Sequence, residues 1–326
     1  MEQVRSERSR RSGWAAACLL GLGLAIAGCA AGGELGAACR VGADCESGAC
    51  DDGVCVEASS GSTSSAGGAG GEGGGSTTTT STTGGGGEGG ETPGLCQPNL
   101  DGSITRGEYP VALGISAKFL TALDVSWSTA GSMVSGTRTW DMSEALAGDH
   151  LLLLETRALG GLWFEESFPG ASYAIRLSDE SELLGVFEVT DEAVLLRGVV
   201  SPTDGLSRTE LEYDPPVVVL SFPLAEGKTW STTSTVSGLA TGIYAYYTEQ
   251  YDSQVDARGD AITPFSTFDA LRVRTVLTRT INFVPTVTRS FAFVTECFGT
   301  VATLSSQANE SGVEFTNVAE IKRLTP

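Results

Sequence analysis

The chain has 326 residues, room for one sizeable β-domain with appendages or for two ordinary domains. Its 40 acidic residues against 20 basic ones give a formal charge of −20, which repels phosphate backbones and argues against a nucleic-acid partner. Only 18% of residues are charged and 43 are glycine, a balance that suits β-structure joined to low-complexity chain rather than helical bundles.

Four arginines, Arg5, Arg8, Arg10 and Arg11, precede an uncharged run over residues 14–28. A basic stretch followed by an apolar run too short to span a bilayer is the pattern of an export signal. The run ends in Ile26-Ala27-Gly28-Cys29. This resembles the bacterial lipobox, in which the leader is cut before the cysteine and that cysteine is acylated. The resemblance implies a signal peptide over residues 1–28 and a lipidated Cys29, palmitate being the usual chain. Each buried methylene contributes about 0.8 kcal/mol, so several chains anchor stably. Ala30 follows where inner-membrane lipoproteins of Gram-negative bacteria carry Asp, which implies the outer membrane, periplasmic or surface-exposed. Removal of the leader leaves 16 basic and 38 acidic residues, a charge of −22.

Residues 29–57 form a small cysteine-rich module. Cys39, Cys45, Cys50 and Cys55 are separated by gaps of five, four and four residues. So short a segment buries no useful core, and an oxidising compartment favours disulfides over zinc, in any of three connectivities. The cluster resembles modules that follow lipoboxes in surface proteins of myxobacteria, which implies location more than activity. Cys96 and Cys297 flank most of the remaining chain and are further disulfide candidates.

Residues 58–93 are almost wholly Gly, Ser, Thr and Ala, interrupted by Glu72, Glu88 and Glu91. Such chain cannot bury enough apolar surface to offset ordering, and is expected to be a disordered linker with an r.m.s. span of roughly 30 Å. After Cys96, residues 97–108 match most of an EF-hand loop, with Asn99, Asp101, Ser103 and Glu108 as weak calcium candidates. Gln97 stands where the first Asp belongs, and Pro110 obstructs the exiting helix. The competing reading, an Asp-Gly turn feeding a strand at Val111, is preferred.

From about residue 110 short β-branched and aromatic runs recur, separated by Gly, Pro, Asp and Ser. Runs at residues 151–154, 172–177, 217–220, 271–277 and 290–294 are expected strands, many alternating apolar with polar. In one of them Leu271, Val273, Thr275 and Leu277 share a face opposite Arg272, Arg274 and Val276, and Val276 hints that both faces are covered. The fold class expected for residues 94–326 is mainly β: a curved antiparallel sheet, half-barrel or sandwich. Only residues 141–147 suggest a helix. The segment 251–274, with Thr263-Pro264-Phe265-Ser266-Thr267-Phe268 at its turn, resembles a hairpin recurring in uncharacterised bacterial envelope proteins.

No P-loop, dinucleotide fingerprint, H-E-x-x-H or G-x-S-x-G elbow is present. The single histidine, His150, sits at the start of a strand, where a structural role is expected. Glu165 and Glu166 would point to opposite faces of a strand and not act as a glycosidase pair. Tyr244 and Tyr246 share a face that suits packing, a sugar or a lipid. The expected function is non-enzymatic: a lipid-anchored envelope protein with a binding or structural role toward an undefined protein or glycan. The alternative is a carrier that encloses an apolar ligand in a curved sheet.

Overall fold

The computed structural model describes residues 50–51, 54–55, 96–111 and 113–326. The chain divides into two compact units, which are described separately. In the unit of residues 26–94, strand β1 (Cys50–Asp51) pairs antiparallel with β2 (Val54–Cys55), placing Cys50 opposite Cys55. Cys29, Cys39, Cys45 and the linker lie outside the described residues.

The larger unit runs in chain order through β3 (Ser103–Ile104), β4 (Ser116–Ser126), β5 (Ser132–Val134), β6 (Thr137–Asp141), β7 (His150–Glu155), β8 (Tyr173–Arg176), β9 (Leu184–Val189) and β10 (Ala193–Val200). It continues through β11 (Glu210–Ser221), β12 (Leu224–Ala225), β13 (Thr229–Ala240), β14 (Ile243–Ile262), β15 (Thr267–Ile281), β16 (Val284–Thr295), β17 (Gly299–Ser306) and β18 (Asn317–Leu324). Twelve strands join in the order β7-β4-β18-β17-β16-β15-β14-β13-β11-β10-β9-β8. Most neighbours are consecutive hairpins, which need only short turns. Closure comes from the last strand, β18, which returns to pair with β4 over Asn317–Leu324 and Phe119–Ser126. The sheet is thus a near-closed antiparallel barrel with one unsealed seam, between β7 and β8. One end of the seam is held by a single antiparallel bridge, Arg157 with Ala174, whose two N–H···O bonds measure 2.8 and 2.9 Å. At the other end the ring of His150 contacts the carboxylate of Asp179.

Alternation gives the barrel two buried faces. The inner face contributes Tyr173, Phe187, Val194, Val217 and Val273 to one core cluster. The outer face is buried wherever chain folds over it. The segment 127–149 covers β14 to β18, with Trp140 1% exposed and set edge-on against Phe293, ring centroids 5.0 Å apart. A Cβ on Gly259 would lie 2.0 Å from the Arg138 carbonyl oxygen, so this close approach requires glycine. The segment 156–172 lays Phe164 and Phe168 over β8 to β10, and Gly198 leaves the space that Phe168 occupies. On the outer face Arg272, 2% exposed, sits between Trp140 and Phe291, 5.1 and 4.2 Å from their centroids. It donates two bonds of 2.9 Å to Asp256, at the β14 bulge, and one of 2.7 Å to Glu314.

The expected strands all form, in β7, β11, β15 and β16 over their full runs and in β8 over Tyr173–Arg176 of the run 172–177. Three local expectations are corrected. Residues 141–147 are not helical: β6 ends at Asp141, whose carboxylate accepts from Ser143 N–H and Oγ, a turn that competes with helix. Glu165 and Glu166 occupy a 3-10 turn, Glu165–Ser167, because the chain is bending back over the sheet there. Residues 110 and 111 are not in a strand, which begins at Ser116.

Candidate functional site

The barrel interior contains a cavity of about 450 Å³. Its apolar wall comes from the inner positions of β8 to β11: Tyr173, Ile175, Phe187, Val194, Val217 and Val219. The wall across from it is built of small residues. Ser253, Thr275 and Ser290 stand in register on β14, β15 and β16, with Ala292 and Thr303 beside them. Side chains this short leave the centre of the barrel unfilled. Ser253 and Thr275 share a hydrogen bond of 2.9 Å. Leu154 and Thr156 line the cavity from the β7 side of the seam, and Tyr173 and Ile175 from the β8 side.

One end of the interior is closed by charge. Glu249 on β14 is fully buried and accepts from Arg279 Nε at 2.6 Å, its register partner on β15. Tyr251 donates its hydroxyl to the other carboxylate oxygen, and the Arg279 guanidinium lies 5.4 Å from the Tyr247 ring centroid. Burial pushes the Tyr247 phenol up to about 12 and Tyr251 well above its ordinary value. These phenols stay protonated and serve as donors and packing. The charge pair fastens two neighbouring strands.

The other end is closed by the amino-terminal segment. Tyr109, Pro110 and Val111 line the cavity together with Phe298 and Gly299 of the β16–β17 turn. A disulfide joins Cys96 to Cys297, Cα atoms 5.4 Å apart, and Cys297 N–H donates to the Glu108 carbonyl at 2.7 Å. The same segment pairs β3 with β12. The cystine therefore holds the closing segment against the turn it must cover.

The calcium candidates have internal partners. Asn99 Oδ1 accepts from Asp101 N–H and Asp101 Oδ1 from Ser103 N–H, each at 2.8 Å. Glu108 accepts from Asn99 Nδ2 at 2.7 Å and from Thr105 N–H and Oγ1 at 2.8 Å, the N–H bond being one half of a capping box. Gly102, at φ 88°, makes the expected Asp-Gly turn. Among the described residues no group of three His, Cys, Asp or Glu side chains converges as a metal site.

His150 belongs to the seam. Nδ1 lies 2.9 Å from the Gly148 carbonyl, and Nε2 meets Asp179. Two acceptors on one imidazole favour the doubly protonated ring, and the His150 pKa is raised, first by the Gly148 carbonyl and then by Asp179. Tyr244 and Tyr246 are 69% and 67% exposed, pointing out of the barrel, whereas Tyr247 and Tyr251 point in. Sequence reasoning missed Lys322 on β18, which reaches the cavity wall from Glu320-Ile321-Lys322-Arg323, a stretch with no motif. Comparison with protein-family models, curated proteins and solved structures gives no match to this chain, so the site rests on its own geometry.

Proposed function

We propose that residues 96–326 form a non-enzymatic carrier whose barrel encloses an apolar ligand. The observation that carries this reading is the 450 Å³ cavity, apolar on one wall and flanked by β7 and β8, the two end strands of the barrel path. Burying apolar ligand surface yields about 25 cal/mol per Å², enough for useful affinity in a preformed site of this size. The seam offers the route in. About five residues of β7 face β8 there without ladder bonds, a slit of roughly 17 Å at ~3.4 Å per residue.

In this reading the preceding chain is an anchor and a leash. The lipobox-like Ile26-Ala27-Gly28-Cys29 supports lipidation of Cys29 and an envelope location, and residues 58–93 supply reach. The carrier reading is preferred over a purely structural role because a structural barrel has no use for a hollow centre. The test is organic extraction of the full-length protein purified from cells, followed by mass spectrometry. A stoichiometric apolar molecule distinct from any chain on Cys29 is expected. Extracts without one, together with no binding of N-phenyl-1-naphthylamine by the extracted protein, would overturn the reading. Intact-mass measurement reports separately on Cys29.

A further inference from the structure

The cavity of a chain with twice as many acids as bases contains no carboxylate among its lining residues, yet it contains Lys322 and, at the seam edge, Arg176. Arg176 is paired with Glu182 at 2.9 Å, off the lining, which leaves Lys322 as the cation that faces the cavity. Lys322 is 8% exposed. Its inner-face position on β18 pairs with Thr303 on β17, and its ammonium crosses the seam to donate to the Leu177 carbonyl at 2.7 Å. The counter-ion Glu320 lies 3.0 Å away and is held off the lining by the Asp179 N–H at 2.8 Å and by Ser178 Oγ at 3.2 Å. An ammonium has three donors, and these two acceptors use two of them. Beyond Lys322 the hydroxyls of Thr303, Ser290 and Thr275 continue along the same wall.

From this arrangement we infer that the ligand is an anionic single-chain amphiphile of the fatty-acid class, its carboxylate on Lys322 just inside the seam and its chain against the valines of β10 and β11. The inference rests on the carrier reading and deepens it. At the ~30 Å³ that one water occupies in the liquid, 450 Å³ holds roughly fifteen non-hydrogen atoms, the size of a medium-length acyl chain with its head. A neutral oxygen would accept that third donor in a weaker bond, whereas a carboxylate completes a hydrogen bond with charge on both partners.

The experiment titrates the extracted full-length protein with dodecanoate and with dodecan-1-ol at pH 8, by displacement of N-phenyl-1-naphthylamine. Dodecanoate is expected to bind at least about tenfold tighter than the alcohol. Lys322→Met is expected to remove the preference, by weakening dodecanoate far more than the alcohol. Because Lys322→Met leaves Glu320 without its cation, the paired variant Lys322→Gln with Glu320→Gln provides a charge-neutral check and is expected to lose the preference equally. Equal or weaker binding of dodecanoate by the native protein, or a preference that survives in the paired variant, overturns the anionic head while leaving the carrier standing. Failure of the probe and of both ligands to bind overturns the carrier itself, and this inference with it.

Discussion

Ala292 offers the most direct measurement of whether the barrel is hollow. It lies on the inner face of β16, between Val273 on β15 and Thr303 on β17, and borders the cavity. Ala292→Leu adds three carbon atoms. If they enter open space, burial contributes about 0.8 kcal/mol per carbon, close to 2 kcal/mol in all. For a domain of this size, 1 kcal/mol moves Tm by about 2–4 °C, so extracted protein should melt about 4–8 °C higher. The same carbons occupy volume that a ligand needs, so affinity for dodecanoate should fall while stability rises. Ala302 supplies the contrast: it is fully buried on the outer face, packed in the cluster containing Trp140 and Phe293. There Ala302→Leu overfills a closed core and should cost about 1–3 kcal/mol. Thermal melts of both variants, with probe titrations alongside, decide the matter. A lower Tm for Ala292→Leu, matching that of Ala302→Leu, would show the inner wall to be packed and would remove the physical basis of the carrier.

Other perturbations test the frame around the cavity. Arg272→Met should cost about 3 kcal/mol or more in urea unfolding, because Asp256 and Glu314 keep their charges without the cation between them; adding Asp256→Asn should restore part of the loss. Replacing Cys96 and Cys297 by Ser opens a loop spanning 201 residues, worth up to about 5 kcal/mol by loop entropy, and should also raise proteolysis of residues 96–111. His150 has a raised pKa, so its contribution is fully present below its ordinary value near 6.5 and is lost as pH rises through the folded value. With Asp149 and Asp179 around it, deprotonation weakens the seam contact, and dissociation of bound probe should quicken as pH rises above the ordinary histidine value near 6.5. His150→Gln should make that rate nearly independent of pH there; an unchanged pH dependence would exclude the histidine as its source.

Local β-structure was legible because alternation is written along the chain. Leu271, Val273 and Thr275 read as one face, and they do point inward. The opposite face, with Arg272, read as wet because nothing in strand periodicity reveals that residues 127–149 fold over it. That cover depends on Trp140, Gly259 and the β14 bulge, residues far apart in sequence that act only once the sheet is formed. Val276 did suggest that both faces were covered, but the cover lies at Arg272, toward the opposite end of the strand. Closure was also hidden, since β18 meets β4 across about two hundred residues, and no local pattern distinguishes a closing strand from an edge. The hollow centre did leave a trace: Ser253, Thr275, Ser290, Ala292 and Thr303 place small residues at inner positions where a solid barrel needs large ones. Lys322 left none, because a lysine on a strand is ordinarily a solvated one.

A sealed void of 450 Å³ would cost on the order of 11 kcal/mol at about 24 cal/mol per Å³; this interior is open at the seam, so the figure is an upper bound on leaving it without an occupant. Water could occupy it only where it finds two to four polar partners, and the wall made by Phe187, Val194, Val217 and Val219 offers none. The hydroxyls and Lys322 serve water on one side alone. An occupant that is apolar toward β8 to β11 and polar toward β17 and β18 satisfies both walls at once, whereas neither solvent nor a plain hydrocarbon does. The division of the lining into two chemistries, more than its volume, is what the proposed amphiphile would match.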